Sequence, residues 1–244
     1  MDTGGTEPMN DFLDAFRFIG DNSALLWQLT LDHLALSGAA VGIALALAIP
    51  LGVTLGHMHR GSFAAINISN VGRALPSLAL ISIGVAVLGI GFVNVMVALI
   101  VLAFPIVLTN AYVAVDSVDQ DAVEAARGMG MRPREVLWKV ELPLALPLIF
   151  AGIRTAVVYV IATATLGSVA GAHGLGDVIV DQATYRLPGV LGAAICVALL
   201  ALLAELLFAA LQRAVTPRAL RSEERGAPSV LLGDPMTTER TAST

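Results

Sequence analysis

Long apolar runs, each close to the roughly 20 residues needed to cross about 30 Å of hydrocarbon, set the terms on which this chain can fold. About five segments qualify. The first runs near Leu34 to Leu55, a fourth from Leu144 to Val169 and a fifth from Val190 to Leu211. The block from Leu75 to Val115 is too long for one crossing and is punctuated by Gly84, Gly89 and Gly91, so it reads as two helices turning near Gly89–Gly91. Backbone polar groups cannot be left unpaired in lipid, so all five read as helices. A 57% hydrophobic content with only 14% charged residues leaves too little polar surface for a water-soluble domain. The expected architecture is therefore an all-α integral membrane protein with about five core transmembrane helices.

The charged residues sort by loop. Five crossings in series put the loop at His57–Arg73, the loop at Asp116–Pro143 and the C-terminus on one side. Arg60, Arg73, Arg127, Arg132, Arg134, Lys139, Arg213, Arg218, Arg221, Arg225 and Arg240 lie there, against Arg17 and Arg186 on the other side. Cations favour the cytoplasmic face, so the expected orientation is N-terminus outside and C-terminus cytoplasmic. The first residues carry acids and lack the basic region and apolar core of a cleaved leader. Phe12, Phe16, Ile19 and Trp27 suit an amphipathic helix at the interface, and Asp14, Arg17, Asp21 and Asp32 interrupt the segment too often for a crossing. The expected organisation is an extracytoplasmic or interfacial segment at 1–31, a membrane domain at 32–213 and a polar cytoplasmic tail at 214–244.

The loop at 116–143 is the most informative connector. Asp119–Arg127 has good helix formers and acids in its first turn, where they oppose the positive end of the helix dipole. Gly128 and Gly130 stop it, and Pro133 opens a second short helix through Lys139. Ala122, Val123, Ala125 and Ala126 form a small, smooth surface that another protein could approach closely. Two readings are open from the residues alone: a compact docking knob, or a solvated connector with interfacial arginines. Lys139, the only lysine, sits in WKVELP and not in a glycine-rich phosphate loop, so no nucleotide site is expected in this chain.

These residues resemble the EAA motif of the permeases of ATP-binding-cassette (ABC) importers. Glu124-Ala125-Ala126 is followed after three residues by Gly130, and after nine more by Val140-Glu141-Leu142-Pro143. Val140 stands where the family usually has Ile. Further segments resemble the osmoprotectant branch, whose cargoes are glycine betaine, choline, carnitine and related quaternary amines. They are Arg73-Ala-Leu-Pro76-Ser77, Gly128-Met-Gly130-Met131, Pro143-Leu-Ala-Leu-Pro147, Gly152-Ile-Arg154-Thr155-Ala156 and Gly174-Leu-Gly176. His173 departs from the pattern, because a small residue is expected before Gly174.

The resemblance implies a type I (MetI-like) permease fold in a bacterial cytoplasmic membrane, working as a dimer with a second permease copy. It implies two ABC ATPase subunits that bind the ATP and Mg, an extracytoplasmic substrate-binding protein, no cofactor in this chain and no nucleic-acid partner. Glu124, Ala125 and Ala126 would enter the ATPase contact, Gly130 would set the bend, and Leu142-Pro143 would lead into the fourth crossing. The mechanism implied is alternating access, with selectivity supplied mostly by the binding protein, since aromatic cages have little material in a chain only 5% aromatic. An amino-acid or oxyanion importer and an ATP-independent secondary transporter are the alternatives.

Other candidates have competing structural readings. Pro76 and Ser77 sit near the expected cytoplasmic start of the second crossing, where a proline either breaks a helix at a transport site or simply opens one. Ser77 and Asn110 either face a pathway or bond to helix backbone. Arg154 and Glu205 are ionisable residues inside apolar runs, and both fall in the inner half of the membrane. A structural pair is the preferred reading, because a permanent cation is a poor neighbour for a quaternary ammonium group. His57, His59 and His173 are too scattered for a metal site, and Cys196 reads as a small core residue.

Overall fold

The computed structural model describes residues 7–59, 67, 72 and 75–216. Arg60, Arg73, Arg218, Arg221, Arg225, Arg240 and the tail from 217 onward lie outside the described residues. The architecture is all helical among the described residues. Helix α1 (Glu7–Asp21) is followed by α2 (Ser23–His57), α3 (Ser77–Leu88) and α4 (Phe92–Asp116). Two short helices, α5 (Gln120–Gly128) and α6 (Pro133–Val136), lead through a π-helical turn at Leu137–Glu141 into α7 (Leu142–Ala164). A 3₁₀ segment (Thr165–Ala170), the short α8 (Gly176–Val180) and α9 (Gln182–Val215) complete the fold.

Among the described residues, four helical stretches, against the five expected, are long and apolar enough to cross a membrane, Ser23–His57, Phe92–Asp116, Pro133–Ala170 and Gln182–Val215, and α3 is a shorter apolar helix. The twelve residues of α3 rise only about 18 Å, short of the hydrocarbon thickness. The turn expected near Gly89–Gly91 is present, with φ of +80° at Gly89 and +136° at Gly91. The first long helix begins eleven residues before the expected Leu34, so Trp27 and Leu31 belong to α2 and only α1 forms a separate amphipathic element. Asp32 did not end the helix; it is half-buried on α2, next to the buried His33. Ala15 is fully buried while Phe12, Leu13 and Phe16 are exposed, and Phe18 packs edge-on against Tyr185 with ring centroids 6.1 Å apart.

Close backbone approach organises the centre. Gly52 and Gly56 of α2 are spaced as G-x-x-x-G and lie directly on α4. A Cβ on Gly52 would lie 2.7 Å from the Leu108 carbonyl oxygen, and one on Gly56 would lie 2.8 Å from that of Tyr112. Buried polar groups clip neighbouring helices. His33 Nε2 is 2.9 Å from the Ile161 carbonyl oxygen, joining α2 to α7, and Asn94 Nδ2 donates to the Ile81 carbonyl, joining α4 to α3. These bonds matter in a membrane protein because apolar burial does not distinguish a helix neighbour from a lipid tail.

The bundle has two ends. At one, the Gly91 N–H donates to the Ala170 carbonyl, and the 3₁₀ segment and α8 lie nearby. At the other, His57 meets Glu141 and His59 meets Asp116, so the α5–α6 loop projects beside the end of α2.

Arg186, near the start of α9, has φ of 55° and ψ of −178° and kinks the helix. A side chain there strains the backbone by about 1–3 kcal/mol, and glycine relieves it. Its side chain is exposed. Arg186→Gly is expected to raise thermal stability by about 1 kcal/mol, read as the melting temperature of the detergent-purified protein.

Candidate functional site

The loop-bearing end forms a compact knob. Asp119 caps α5, its side chain accepting the Asp121 N–H at 3.0 Å, which satisfies an otherwise orphaned donor. Gly128 is the last residue of α5, Met129 caps it, and Gly130 follows with φ of +86°, a conformation that suits glycine. The Met131 N–H then bonds back to the Ala126 carbonyl at 3.2 Å. Pro133 opens α6, where the missing N–H costs nothing. Glu135 braces this turn: Oε2 accepts the Arg132 N–H at 3.0 Å and Oε1 lies 3.2 Å from Lys139 Nζ.

No break separates the knob from the long helix behind it. Helix runs from Pro133 through Lys139 and on into α7, rather than stopping for a connector at Leu142–Pro143. The widened turn makes this possible: the Leu142 N–H reaches back to the Leu137 carbonyl, and Pro143, which has no N–H to give, follows directly.

The faces of α5 differ in role. Val123 and Ala126 are buried and join Val115, Val136 and Ala145 in the main core. Glu124, Ala125 and Arg127 are exposed. Of the three residues expected to meet a partner, Ala126 therefore points into this chain's own core, because an i, i+3 pair with Val123 forms the apolar side of the helix. Met129 and Trp138 are 72% and 68% exposed at the same end. These two large apolar side chains stand uncovered near the charged, exposed side of α5. Gly130 lies at the bend, and Leu142 and Pro143 are half-buried at the root of α7.

Glu141 escaped the sequence reading. It is only 2% exposed, and its Oε2 lies 2.6 Å from His57 Nδ1. Its place in a charged, loop-like stretch concealed this burial, and only its adjacency to the Leu142-Pro143 pair hinted at structural work. His57, the last residue of α2, and His59, in the turn after it with φ of 48°, have different partners.

Pro76 and Ser77 are not at the loop-bearing end of the bundle. Gly72 packs against the ring of Pro105, about midway along α4, and Ile81 is level with Asn94 near the far end. Pro76, extended at ψ of 120°, thus precedes a helix that begins within the depth of the bundle. Asn110 Nδ2 donates to the Ile106 carbonyl at 2.7 Å, and its side chain packs against Gly152. Neither Ser77 nor Asn110 lines the apolar groove of about 340 Å³ between α2, α7 and α9. Arg154 Nε lies 3.4 Å from Glu205 Oε1, joining α7 to α9. His173 Nδ1 is 3.2 Å from Asp177 Oδ2 in the loop before α8.

Residues 48–220 match the family described as binding-protein-dependent transport system inner membrane component. The chain is 38% identical over 205 residues to the glycine betaine/carnitine/choline transport system permease protein OpuCB of Bacillus subtilis, covering 84% of this chain and 94% of that one. It is 37% identical over 206 residues to the choline transport system permease protein OpuBB of the same organism, covering 84% and 95%. Among solved structures, an inward-facing form of the MetNI methionine ABC transporter is similar in fold, with a TM-score of 0.71 at 23% identity, covering 81% of this chain and 99% of that one.

Proposed function

Because the chain belongs to the binding-protein-dependent transport system inner membrane component family, we propose that it is the permease subunit of an ATP-driven importer of quaternary-amine osmoprotectants. Glycine betaine, choline or carnitine is the cargo class. The observation that carries it is likeness along nearly the full length of two permeases named for those compounds.

In this reading, two permease subunits enclose the pathway. An extracytoplasmic binding protein delivers the amine. A separate ATPase subunit binds ATP and Mg and receives the knob through Glu124, Ala125 and the neighbouring Met129 and Trp138. The loop-bearing end faces the cytoplasm: Arg127, Arg132, Arg134, Lys139 and Arg213 belong to it, against Arg17 and Arg186 at the other end. ATP binding favours one conformation by its differential contacts at the knob, and hydrolysis releases that bias. The helix break at Pro76 supplies free backbone groups inside the bundle, as discontinuous helices do at transport sites. The Arg154–Glu205 pair holds α7 to α9.

The test is uptake by the chain reconstituted in liposomes with its ATPase and binding protein. The expected result is ATP-dependent accumulation of labelled glycine betaine or choline. Accumulation by the chain alone, without an ATPase, would overturn the importer reading. ATP-driven uptake of an amino acid or oxyanion in place of the amines would overturn the cargo class.

A further inference from the structure

The end of α2 holds both roots of the knob. Asp116 is the last residue of α4 before the loop, and Glu141 is the last residue of the π turn after it. His59 Nδ1 lies 2.9 Å from Asp116 Oδ1, and His57 Nδ1 lies 2.6 Å from Glu141 Oε2. His57 closes α2 and His59 lies in the turn just beyond it, so two histidines two residues apart span the whole excursion from 117 to 140.

The two contacts are unequal. The His59–Asp116 pair has side chains 40% and 37% exposed, where water weakens such contacts. The His57–Glu141 pair is 18% and 2% exposed, and Glu141 Oε1 has no hydrogen-bond partner among the described residues. A carboxyl group in that position, already short of one partner, is held by a single side chain. Separating it from His57 would strand both oxygens in a buried setting, which is strongly unfavourable. The knob's rear root and the end of α2 are thereby constrained to move together. Behind His57, Gly56 and Gly52 rest on α4 backbone, so displacement of α2 is passed into the centre of the bundle.

The widened turn adds a second, independent sign. Its five-residue hydrogen-bond step rotates Glu141 relative to an α-helical register and aims it at α2. Turns of this kind recur at functional positions because they redirect one side chain within an otherwise regular helix.

We infer that His57 and Glu141 are a positioning pair that transmits displacement of the knob to α2, an inference that rests on the importer reading above. Neither touches cargo or nucleotide. The pair acts by making the knob and α2 one mechanical unit, so that movement of an ATPase docked on the knob is converted into rearrangement of the bundle.

The experiment compares wild type, His57→Leu and His57→Asn in the complete importer in liposomes, measuring hydrolysis and uptake on the same preparation. Asn carries its Nδ2–H on Cγ, as His carries Nδ1–H, and so keeps a donor near the same place. The expected result is continued hydrolysis by His57→Leu with about a tenfold fall in cargo moved per ATP, and recovery of most of that ratio in His57→Asn. Were the pair merely structural, hydrolysis and uptake would fall together with the amount of assembled importer, and an unchanged ratio would overturn the inference. An equal loss of the ratio in both variants would also overturn it, since the donor would then be irrelevant. Absence of ATP-driven uptake in the wild type is the separate result that defeats the importer reading, and it is seen before any variant is compared.

Discussion

Glu124→Lys should insert and fold normally yet lose ATP-driven uptake. Glu124 is exposed on α5, and no hydrogen bond or ion pair among the described residues holds its side chain. The bundle therefore has little to lose by the change. The proposed docking surface, by contrast, includes Glu124 with Ala125, Met129 and Trp138, all exposed. A charge that is desolvated on docking must meet a complementary group, and disrupting such a pair costs about 2–5 kcal/mol. Reversing the charge is expected to reduce association with the ATPase by roughly 30-fold or more. The measurements are co-purification of the ATPase and ATP-driven uptake, with unchanged membrane yield of the permease as the reference. Ala126→Ser provides a contrast, because it places a hydroxyl in this chain's own core and acts on stability rather than on docking. Normal uptake by Glu124→Lys would refute the coupling role of the knob.

Gly56→Leu should prevent stable folding. An added Cβ would lie 2.8 Å from the Tyr112 carbonyl oxygen and 2.9 Å from Val115 Cβ. A carbonyl locked in a helix cannot swing aside like the end of a flexible side chain, so α2 and α4 must separate. The rest of the Leu side chain widens the gap, and a loss of more than about 3 kcal/mol follows. That is a large share of the roughly 5–15 kcal/mol that stabilises a typical folded chain. The separation would also draw His57 and His59 from their carboxylate partners. Gly42 is an internal control on the same helix, with open space where its Cβ would stand. Gly42→Ala should be neutral or slightly stabilising, by up to about 1 kcal/mol, since alanine favours helix. Thermal unfolding of the purified proteins separates the two outcomes; similar melting temperatures would show that α2 and α4 are not in tight contact.

These contrasts show what apolar patterning can and cannot reveal. The helices and the Gly89–Gly91 turn were legible because lipid forbids unpaired backbone and because positive φ suits glycine. The knob was legible through Asp119, Gly130 and Pro133, each a residue with a strong local preference. Ala125 and Ala126 looked alike as members of one motif, yet one is exposed and the other, three residues after Val123 on the same side of α5, is core. Pro76 announced a helix break without its depth, because depth was set by Gly72 packing on Pro105. Ser23–Leu31 was set apart by its polar residues, although the helix simply runs through the half-buried Asp32 and buries His33 against Ile161.

The amino-acid sequence alone determined the all-helical membrane character, the position of the knob and the motif that ties the chain to its family. Only the tertiary structure decided which side of each helix is protein-facing, where the broken helix sits and that Glu141 is buried against His57. The reason is physical. A helix in lipid is apolar on every side, so its pattern says that it crosses a membrane but not which neighbour it touches. That choice is made by close backbone approach and a few polar contacts, between residues as far apart in sequence as His57 and Glu141.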